Sequence, residues 1–345
     1  MSGVQTLTLG PDEAEQRLDR WLKKQFPNLQ QGRIEKACRK GEIRVDGGRV
    51  KASSRIGPGQ NVRVPPISAA PAPVRRQDGL SDADAEMIRA TVIYKDDDII
   101  ALNKPAGLPV QGGSKQLLHV DGLAEALKFG LETKPRLVHR LDKDTSGVLL
   151  LARSGRAATA LTSAFRARTT RKIYWAAVAG CPHPAMGTIK FGLVKQAGHG
   201  PNQAGEKMRC LHPDEVATMR GAKHATTDYA VLEDAGKRVA WMALVPITGR
   251  THQLRAHMAE IGHPIVGDGK YGTNRQVNEG DGWGAQLGGD VSRKLHLHAR
   301  SLSFDHPFTR KRIFIEAPLP DHMQRTWDLL NWQVKWAPDD PFPEV

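Results

Sequence analysis

The spacing of apolar residues separates a short N-terminal segment from the rest of the chain. Leu18 and Leu22 recur at helical spacing, and a second apolar run of the same period ends just before Gly41. Short apolar stretches on either side of a turn at Asp46 predict the two strands of a hairpin. Residues 12–64 are therefore predicted to fold as a small, self-contained helix–helix–hairpin domain.

The rest of the chain alternates strands and helices without a regular order. A proline-rich stretch at 65–90, with an acidic helix starting near Ser81, predicts a linker. Residues 91–320 are predicted to form a mixed, largely antiparallel β-sheet with flanking helices, which makes the fold class α+β. The predicted elements of this sheet domain are a helix at 157–167 and strands at 92–94, 98–103, 148–152, 172–178, 243–246 and 295–299.

Two further stretches carry weaker patterns. Residues 191–224 bear glycines and lysines without clear periodicity, which predicts a long surface loop or insertion. Residues 321–345 carry Trp327, Trp332 and Trp336, which predicts a C-terminal helix packed on the domain, followed by a tail.

The chain is strongly basic. Its 345 residues include 50 Lys and Arg against 37 Asp and Glu, which gives a net charge of +13 and an isoelectric point of about 9.8. Residues 12–64 alone hold thirteen basic and seven acidic residues, a net charge of +6. This charge predicts a polyanionic partner, with nucleic acid as the first candidate and an anionic membrane surface as the second.

Several absences narrow the class of protein. No apolar run reaches 18 residues, and the first residues lack the basic and apolar regions of a secretory signal. The three cysteines, Cys38, Cys181 and Cys210, are scattered and predict neither a disulfide framework nor a CxxC site. We therefore expect a soluble, cytoplasmic protein without a membrane partner, and we expect it to be a monomer.

Motifs for nucleotides and metals are also missing. The chain has no G-x-x-x-x-G-K-S/T loop and no G-x-G-x-x-G ahead of a helix, so no nucleotide cofactor is expected. His252 and His257 fall on different faces of a helix, whereas His296 and His298 share one side of a strand but supply only two ligands. Ordinary packed or exposed histidines are the favoured interpretation, and no metal is expected.

One polar turn stands between two apolar runs. Asp142 lies in the segment His139–Gly147, with Leu137 and Val138 before it and Val148–Ala152 after it. A carboxylate in a tight bend at the mouth of a buried strand can be presented to a cleft as an enzyme nucleophile. The alternative interpretation is a local turn in which the aspartate hydrogen-bonds to its own backbone.

Two later motifs complement this turn. Tyr174 follows Lys172 on a predicted strand, where its ring could stack on an extruded base; an ordinary half-buried tyrosine is the alternative. In Thr248–Arg255 a strand end runs into a helix whose start carries arginines, and cations are unfavourable next to the positive end of a helix dipole. Arginines in this place predict an anionic partner, either a side chain or a phosphate.

The order of these motifs resembles that of the RluA-type pseudouridine synthases. The segment His139–Gly147 is similar to their HRLDxxTSG signature, with Asn103–Gly107 before it and the Tyr174 and Thr248–Arg255 motifs after it. The N-terminal helix–helix–hairpin segment resembles the S4 RNA-binding domain. The two resemblances cover most of the chain and imply an S4 module joined to a synthase domain.

The resemblance implies a role for each matching residue. Asp142 takes the position of the catalytic aspartate, Tyr174 that of the base-stacking tyrosine, and Arg255 that of the arginine that pairs with the aspartate. Leu254 takes the place of an aliphatic residue against the target base, and Arg140 that of a residue filling the space of the extruded nucleotide. Further candidates for RNA contacts are His139, Arg250 and three cations on one face of the second N-terminal helix: Arg33, Lys36 and Lys40.

The implied reaction is the conversion of uridine into pseudouridine in large-subunit (23S) ribosomal RNA. The C1′–N1 bond breaks, the base rotates and C1′ joins C5, so nothing is oxidised or transferred and no cofactor is required. One ionised aspartate can suffice because the base is retained, and a neighbouring arginine favours the ionised form. The target nucleotide must first be flipped out of the stacked RNA. Two alternatives stay open: transfer RNA as the substrate, and a non-catalytic ribosome-assembly factor that binds RNA.

Overall fold

The chain folds into two compact units, Met1–Gly79 and Leu80–Val345. The computed structural model describes residues 3–11, 13–27, 29–66, 80–112, 118–196, 207–272 and 291–342. Most of the proline-rich part of the predicted linker, 67–79, lies outside the described residues. Each unit encloses its own cluster of buried apolar side chains.

The first unit combines two helices with short antiparallel strands. The helices are α1 (Leu18–Gln25) and α2 (Gln31–Lys40). The strands are β1 (Gln5–Thr8), β2 (Gln16–Arg17), β3 (Arg44–Val45), β4 (Gly48–Arg49), β5 (Arg55–Ile56) and β6 (Asn61–Val64). One sheet has the order β1-β6-β3-β4, and β2 pairs separately with β5. The predicted helix–helix–hairpin order is confirmed, with β3 and β4 as the hairpin strands.

Burial of one face stabilises both helices of this unit. Trp21 on α1 and Ile34 on α2 pack in the same apolar cluster as Val62 of β6. Helix α2 ends at Gly41, which adopts a left-handed conformation with φ of 73° and donates its backbone N–H to the last turn. The cations Arg33, Lys36 and Lys40 are left exposed.

The second unit is built around one large sheet. Its helices are α3 (Asp82–Ala90), α4 (Val120–Leu123), α5 (Gly155–Ala167), α6 (Gln253–Glu260) and α7 (Asp321–Leu329), with 3-10 turns at Ala124–Leu127, Pro213–Glu215 and Val334–Trp336. Its strands are β7 (Val92–Lys95), β8 (Ile99–Lys104), β9 (Arg136–Leu137), β10 (Ser146–Ala152), β11 (Arg171–Ala179), β12 (Met186–Gln196), β13 (Lys207–Leu211), β14 (Lys223–Ala235), β15 (Val239–Pro246), β16 (Leu297–Asp305) and β17 (Arg312–Glu316).

The sheet is mixed, and its strand order brings together three segments that carry predicted site residues. The strand order is β13-β12-β14-β15-β11-β16-β10-β8-β7, with β17 on β16 and β9 on β10. Among the described strands, β10 and β16 pair in parallel and the other neighbours pair antiparallel. The start of β10, the middle of β11 and the end of β15 therefore lie close together. The α+β prediction, a mixed and largely antiparallel sheet with flanking helices, is confirmed.

The prediction of a long loop at 191–224 is wrong for the part that the structure describes. These residues contribute the end of β12, all of β13 and the start of β14. Along β12, Ile189 and Leu193 are buried whereas Lys190 is exposed. A strand near the edge of a sheet keeps one polar face in solvent. Few apolar residues are then left in its sequence to indicate a strand, and a loop is predicted instead. Residues 197–206 lie outside the described part of the chain.

Two flanking helices extend the unit beyond the predicted boundaries. Helix α3 begins after Ser81, whose hydroxyl caps it, and buries Ala85 and Ile88 in the same cluster as Leu149 of β10. It therefore packs with the second unit, although the sequence analysis places it in the linker. At the other end, the predicted C-terminal helix is present as α7, which buries Trp327 against Trp241 of β15 with the ring centroids 5.5 Å apart.

Candidate active site

Asp142 lies in the bend that leads into β10. The backbone N–H of Thr145 donates to the carbonyl of Asp142 at 3.3 Å, which closes the turn. Ser146 at the start of β10 is hydrogen-bonded to Nδ1 of His298 on β16 at 2.9 Å. The Asp142 side chain is 26% exposed. The predicted polar turn at the mouth of a buried strand is thus present, with its carboxylate open to a cleft.

A buried lysine is hydrogen-bonded to the backbone of this turn. Lys104, at the end of β8, is fully buried, and its Nζ donates to the carbonyl oxygens of Pro105, Leu108 and Lys143 at 2.9, 2.9 and 3.0 Å. Burial lowers the pKa of Lys104 to about 7, against the opposing effect of the nearby carboxylates Asp144 and Asp142. Three acceptors nevertheless match the three protons of an ammonium group, so we assign Lys104 the charged form.

His139 anchors the other end of the turn. Its Nε2 accepts a hydrogen bond from the backbone N–H of Leu150 at 2.9 Å, and its ring stacks on Phe165 of α5 with centroids 4.5 Å apart. Burial lowers the pKa of His139 to about 3, and the charge of Lys172 acts in the same direction. The neutral ring is therefore engaged by the scaffold on one nitrogen and one face.

Arg255 on α6 forms a buried ion pair, and its main partner is Asp268. The two side chains make a bidentate contact, Nε to Oδ2 and Nη2 to Oδ1, both at 2.7 Å. Although burial favours the neutral acid, hydrogen bonding and the charge of Arg255 hold the pKa of Asp268 below its usual value. The remaining nitrogen, Nη1, lies 3.9 Å from Oδ2 of Asp142. The anionic partner predicted at this helix start is thus a side chain.

His252 lies close to the same carboxylate oxygen. Its Nε2 lies 3.9 Å from Oδ2 of Asp142, and its Nδ1 lies 3.0 Å from the hydroxyl of Tyr271. The residue directly precedes α6 and has a left-handed backbone with φ of 52°, an uncommon conformation for a side-chain-bearing residue.

Tyr174 and Leu254 form the apolar wall beside Asp142. Tyr174 is half-buried on β11, opposite Leu244 of β15, and Leu254 is buried on α6 in the same apolar cluster. Burial raises the pKa of the Tyr174 phenol, and the charge of Asp142 adds to this effect. A protonated phenol ring next to an aliphatic side chain provides a flat apolar surface on which a base can lie.

These residues line a basic cleft of about 1050 Å³, which is large enough for a nucleotide with its neighbours. The cleft is lined by two carboxylates, Asp142 and Asp144, and by a larger number of cations. The Lys and Arg side chains along the described walls are Arg140, Lys143, Arg166, Arg168, Lys172, Arg250, Arg255 and Lys270. This excess of positive charge suits the binding of a polyanion.

Two of the histidines considered as metal ligands, His296 and His298, are hydrogen-bonded to other partners through both ring nitrogens. His296 is hydrogen-bonded to the carbonyl of Lys294 and to the hydroxyl of Thr326, both at 2.8 Å. His298 is bonded to Ser146 and to the carbonyl of Ala317 at 2.9 and 3.1 Å. Within the described ranges, no group of three or more His, Cys, Asp or Glu side chains could hold a metal ion.

Sequence comparison relates this site to known proteins. Residues 98–260 match the family model described as RNA pseudouridylate synthase, and residues 16–62 match the S4 domain model. Ribosomal large subunit pseudouridine synthase C of Vibrio cholerae is 36% identical over 330 residues, which represent 93% of this chain and 95% of that protein. The chain belongs to the RNA pseudouridylate synthase family.

Other members of the family agree with this assignment. RNA pseudouridine synthase 4, mitochondrial, of Arabidopsis thaliana is 34% identical over 92% of this chain and 80% of that protein. Among solved structures, human RNA pseudouridylate synthase domain containing 4 matches with a TM-score of 0.58 and 30% identity, over 72% of this chain and 95% of that chain. The mixed sheet and its flanking helices are thus the fold of this family.

The structure brings together most of the residues that the sequence singled out. Those that line the cleft are Asp142, Tyr174, Arg255, His139, Arg140, Leu254 and Arg250. The Nε of Arg250 also donates to the carbonyl of His224 at 3.3 Å, so this side chain has a scaffold contact. Arg33, Lys36 and Lys40 belong to the first unit, where they lie exposed on α2.

Four residues of the site were not assigned a role from the sequence. Lys104, His252, Asp268 and Tyr271 surround the Asp142 turn and the Arg255 pair. Each lies inside one of three motifs of the sequence: N-K-P-A-G, T-G-R-T-H-Q-L-R and G-D-G-K-Y-G. The sequence shows a charged or polar residue within each motif that resembles the family. It does not show which side chain that residue contacts in the fold.

Proposed function

We propose that this chain isomerises specific uridines of large-subunit (23S) ribosomal RNA, with Asp142 as the carboxylate that acts on the sugar. The observation that carries the proposal is the partly exposed carboxylate of Asp142 in a strongly basic cleft, 3.9 Å from Nη1 of Arg255. The related Vibrio cholerae protein is named as a large-subunit ribosomal RNA enzyme, and its similarity extends over both units of this chain.

The arrangement of side chains suits a reaction that keeps its base in the pocket. Asp142 opens the glycosidic bond, by attack on C1′ or by assisting proton loss towards a glycal. Tyr174 and Leu254 hold the freed uracil while it rotates, since their side chains form the apolar wall next to the carboxylate. Arg255, fixed by Asp268, stabilises the negative charge of Asp142 from 3.9 Å.

The basic side chains of the cleft then serve to bind the RNA around the flipped nucleotide. Arg140 is exposed in the turn next to Asp142, which suits a residue that replaces the extruded nucleotide in the stack. His139 acts mainly by fixing the turn through Leu150 and Phe165. In the first unit, the exposed Arg33, Lys36 and Lys40 are proposed to contact phosphates of the ribosomal RNA.

The wider setting follows from the same chemistry. The reaction is redox-neutral and intramolecular, so we propose that the enzyme needs neither a cofactor nor a nucleotide. We also propose that it works in the cytoplasm as a monomer. In the part of the chain that the structure describes, no helix is long and apolar enough to cross a membrane. Size-exclusion chromatography with light scattering would test the oligomeric state.

The proposed substrate can be tested by mapping pseudouridines in a strain that lacks the gene. We expect specific positions of 23S ribosomal RNA to lose the modification while transfer RNA keeps it, and we expect the wild-type gene to restore them. Loss of pseudouridine in transfer RNA alone would show that the enzyme catalyses the same reaction on transfer RNA. Unchanged modification in both RNAs, together with a defect in ribosome assembly, would favour a non-catalytic RNA-binding factor.

A further inference from the structure

A chain of three polar groups connects the reactive carboxylate with strand β13. The backbone N–H of Met208 donates to the hydroxyl oxygen of Tyr271 at 2.8 Å, and this hydroxyl lies 3.0 Å from Nδ1 of His252. The other ring nitrogen of His252, Nε2, lies 3.9 Å from Oδ2 of Asp142. The His252 and Tyr271 rings meet edge to face, with centroids 5.7 Å apart.

The donor-to-acceptor direction of these hydrogen bonds determines the tautomer of His252. The oxygen of Tyr271 already accepts a hydrogen bond from Met208, and the phenol proton needs an acceptor because the side chain is buried. Among the described residues, Nδ1 of His252 is the acceptor within its reach. Nδ1 is then unprotonated, so in the neutral ring the proton lies on Nε2 and is directed at Asp142.

Electrostatics support the neutral state of both groups. Burial lowers the pKa of His252, and the cations Arg255 and Lys270 add to this effect, while Asp142 and Asp268 oppose it. Burial also raises the pKa of Tyr271 to about 12, so the phenol keeps its proton. A neutral imidazole donates a hydrogen bond to a carboxylate without transferring a proton to it.

The two neighbours of Asp142 converge on one oxygen atom. Nε2 of His252 and Nη1 of Arg255 each lie 3.9 Å from Oδ2. Neither oxygen of the Asp142 carboxylate accepts a hydrogen bond within the described residues, so both contacts are ion-pair distances. Such contacts commonly shorten when a substrate fills the site, and a pair of donors on Oδ2 leaves Oδ1 as the oxygen facing the sugar.

We propose that His252 is a positioning residue for the isomerisation: held as its Nε2-protonated tautomer by Tyr271, it fixes Oδ2 of Asp142 together with Arg255 and directs Oδ1 at the substrate. The left-handed backbone at His252 belongs to this arrangement, since it sets the ring between Tyr271 and Asp142. The proposal rests on the role of Asp142 in the proposed function.

Two amide substitutions separate the two nitrogens of the ring. In His252→Gln the side-chain amide can reach the position of Nε2 and still donate to Asp142, whereas in His252→Asn it can reach only the position of Nδ1. Asparagine is also the better residue for a left-handed backbone, so a purely structural role predicts that His252→Asn is the milder change.

We expect the opposite order in activity. His252→Asn should lower kcat by roughly 10- to 100-fold, the effect of losing a hydrogen bond to a charged group, with little change in KM for RNA. His252→Gln should retain most of kcat. Tyr271→Phe, which keeps the ring but removes the hydroxyl, should lower kcat by a smaller factor because the tautomer is no longer enforced.

Nitrogen-15 NMR of histidine-labelled protein gives a second readout that needs no RNA. The His252 signals, identified by their loss in His252→Gln, should show an unprotonated Nδ1 and a protonated Nε2, and Tyr271→Phe should shift this balance. A protonated Nδ1 in the wild-type protein, or a His252→Asn variant as active as wild type, would overturn the proposal. An active Asp142→Asn variant would contradict the catalytic role of Asp142, and with it the proposed function. The NMR experiment tests the tautomer of His252 separately from that role.

Discussion

At the scale of single residues, the surroundings of Asp142 are the reason for proposing it as the catalytic carboxylate. The same turn contains a second carboxylate, Asp144, which is exposed, while the Asp142 side chain lies within 3.9 Å of both Arg255 and His252. Two acids of equal intrinsic acidity, two residues apart, thus differ in that Asp142 lies near the donors His252 and Arg255 at the start of α6.

We expect Asp142→Asn to abolish pseudouridine formation while RNA affinity stays nearly unchanged. Removing a nucleophile from an enzyme lowers kcat by roughly 10⁴-fold or more, whereas one carboxylate contributes little to the binding of phosphates. Tritium release from RNA labelled at C5 of uridine measures the reaction, and filter binding measures affinity. Asp144→Asn makes the same change of charge in the same turn and should remain active; substantial tritium release by Asp142→Asn would rule out its assignment.

We expect Arg255→Leu to reduce both stability and activity, because it leaves Asp268 buried without its partner. Removing one member of a buried ion pair costs about 3–5 kcal/mol in unfolding free energy. The pKa of Asp268 is lowered in the folded protein, so the pair contributes stability above the unfolded value of about 3.9, and this contribution is lost as the pH falls through the folded value.

Urea unfolding followed by circular dichroism would measure this difference at neutral and at acidic pH. The difference in unfolding free energy between wild type and Arg255→Leu should become smaller on acidification. The reason is that protonation of Asp268 removes the unpaired buried charge from the variant. Arg250→Leu is the matched control, because the described contact of its side chain with the scaffold is a single hydrogen bond to the carbonyl of His224. A stable and fully active Arg255→Leu protein would contradict this account.

At the scale of elements, the site depends on the close approach of β10 to β16. Gly147 pairs with Ala299 of β16 and has φ of 107°, a conformation that side-chain-bearing residues avoid. A Cβ atom at this position would lie 2.2 Å from the carbonyl oxygen of Ala299. The glycine of the H-R-L-D-x-x-T-S-G motif is thus required for the strand pairing that holds the Asp142 turn.

We therefore expect Gly147→Ala to lower the unfolding free energy by about 3 kcal/mol or more and to reduce activity by displacing the turn. Gly249→Ala is the control within the same cleft, since a Cβ there meets no atom within 4 Å. Thermal unfolding of both variants, with tritium release at a temperature where each is folded, measures the two effects. Equal stability of the two variants would show that β10 and β16 can separate without cost.

The elements also show how far the sequence alone predicts this molecule. The Asp142 turn was predictable because polar residues interrupt two apolar runs, and the end of α2 because glycine readily adopts a left-handed conformation. The pair between Arg255 and Asp268 was not, since no periodicity relates a helix start to a turn beyond it. Strands β12 and β13 were mistaken for a loop because half of their residues face solvent.

At the scale of the whole molecule, the densest positive charge and the proposed catalytic residues belong to different parts of the chain. Residues 12–64 hold thirteen basic and seven acidic residues, whereas Asp142, Tyr174 and Arg255 belong to the second unit. Composition predicts the polyanionic partner because net charge depends only on the residues present. It does not predict the catalytic cleft, whose charge depends on which side chains the sheet brings together.

We expect removal of residues 1–79 to weaken RNA binding and flatten its salt dependence while the chemical step persists. The second unit starts at Leu80 with α3, which packs in its core, so a protein beginning there should fold. Each lost phosphate contact reduces the slope of log binding constant against log salt concentration by about 0.7–0.9, and loss of Arg33, Lys36 and Lys40 should reduce it by roughly 2–3.

Full-length protein with these three cations changed to glutamine is the matched control and should show the same reduced slope. Single-turnover rates at saturating RNA should equal those of the intact chain, and an unchanged slope in both variants would mean that the N-terminal unit serves a purpose other than RNA binding.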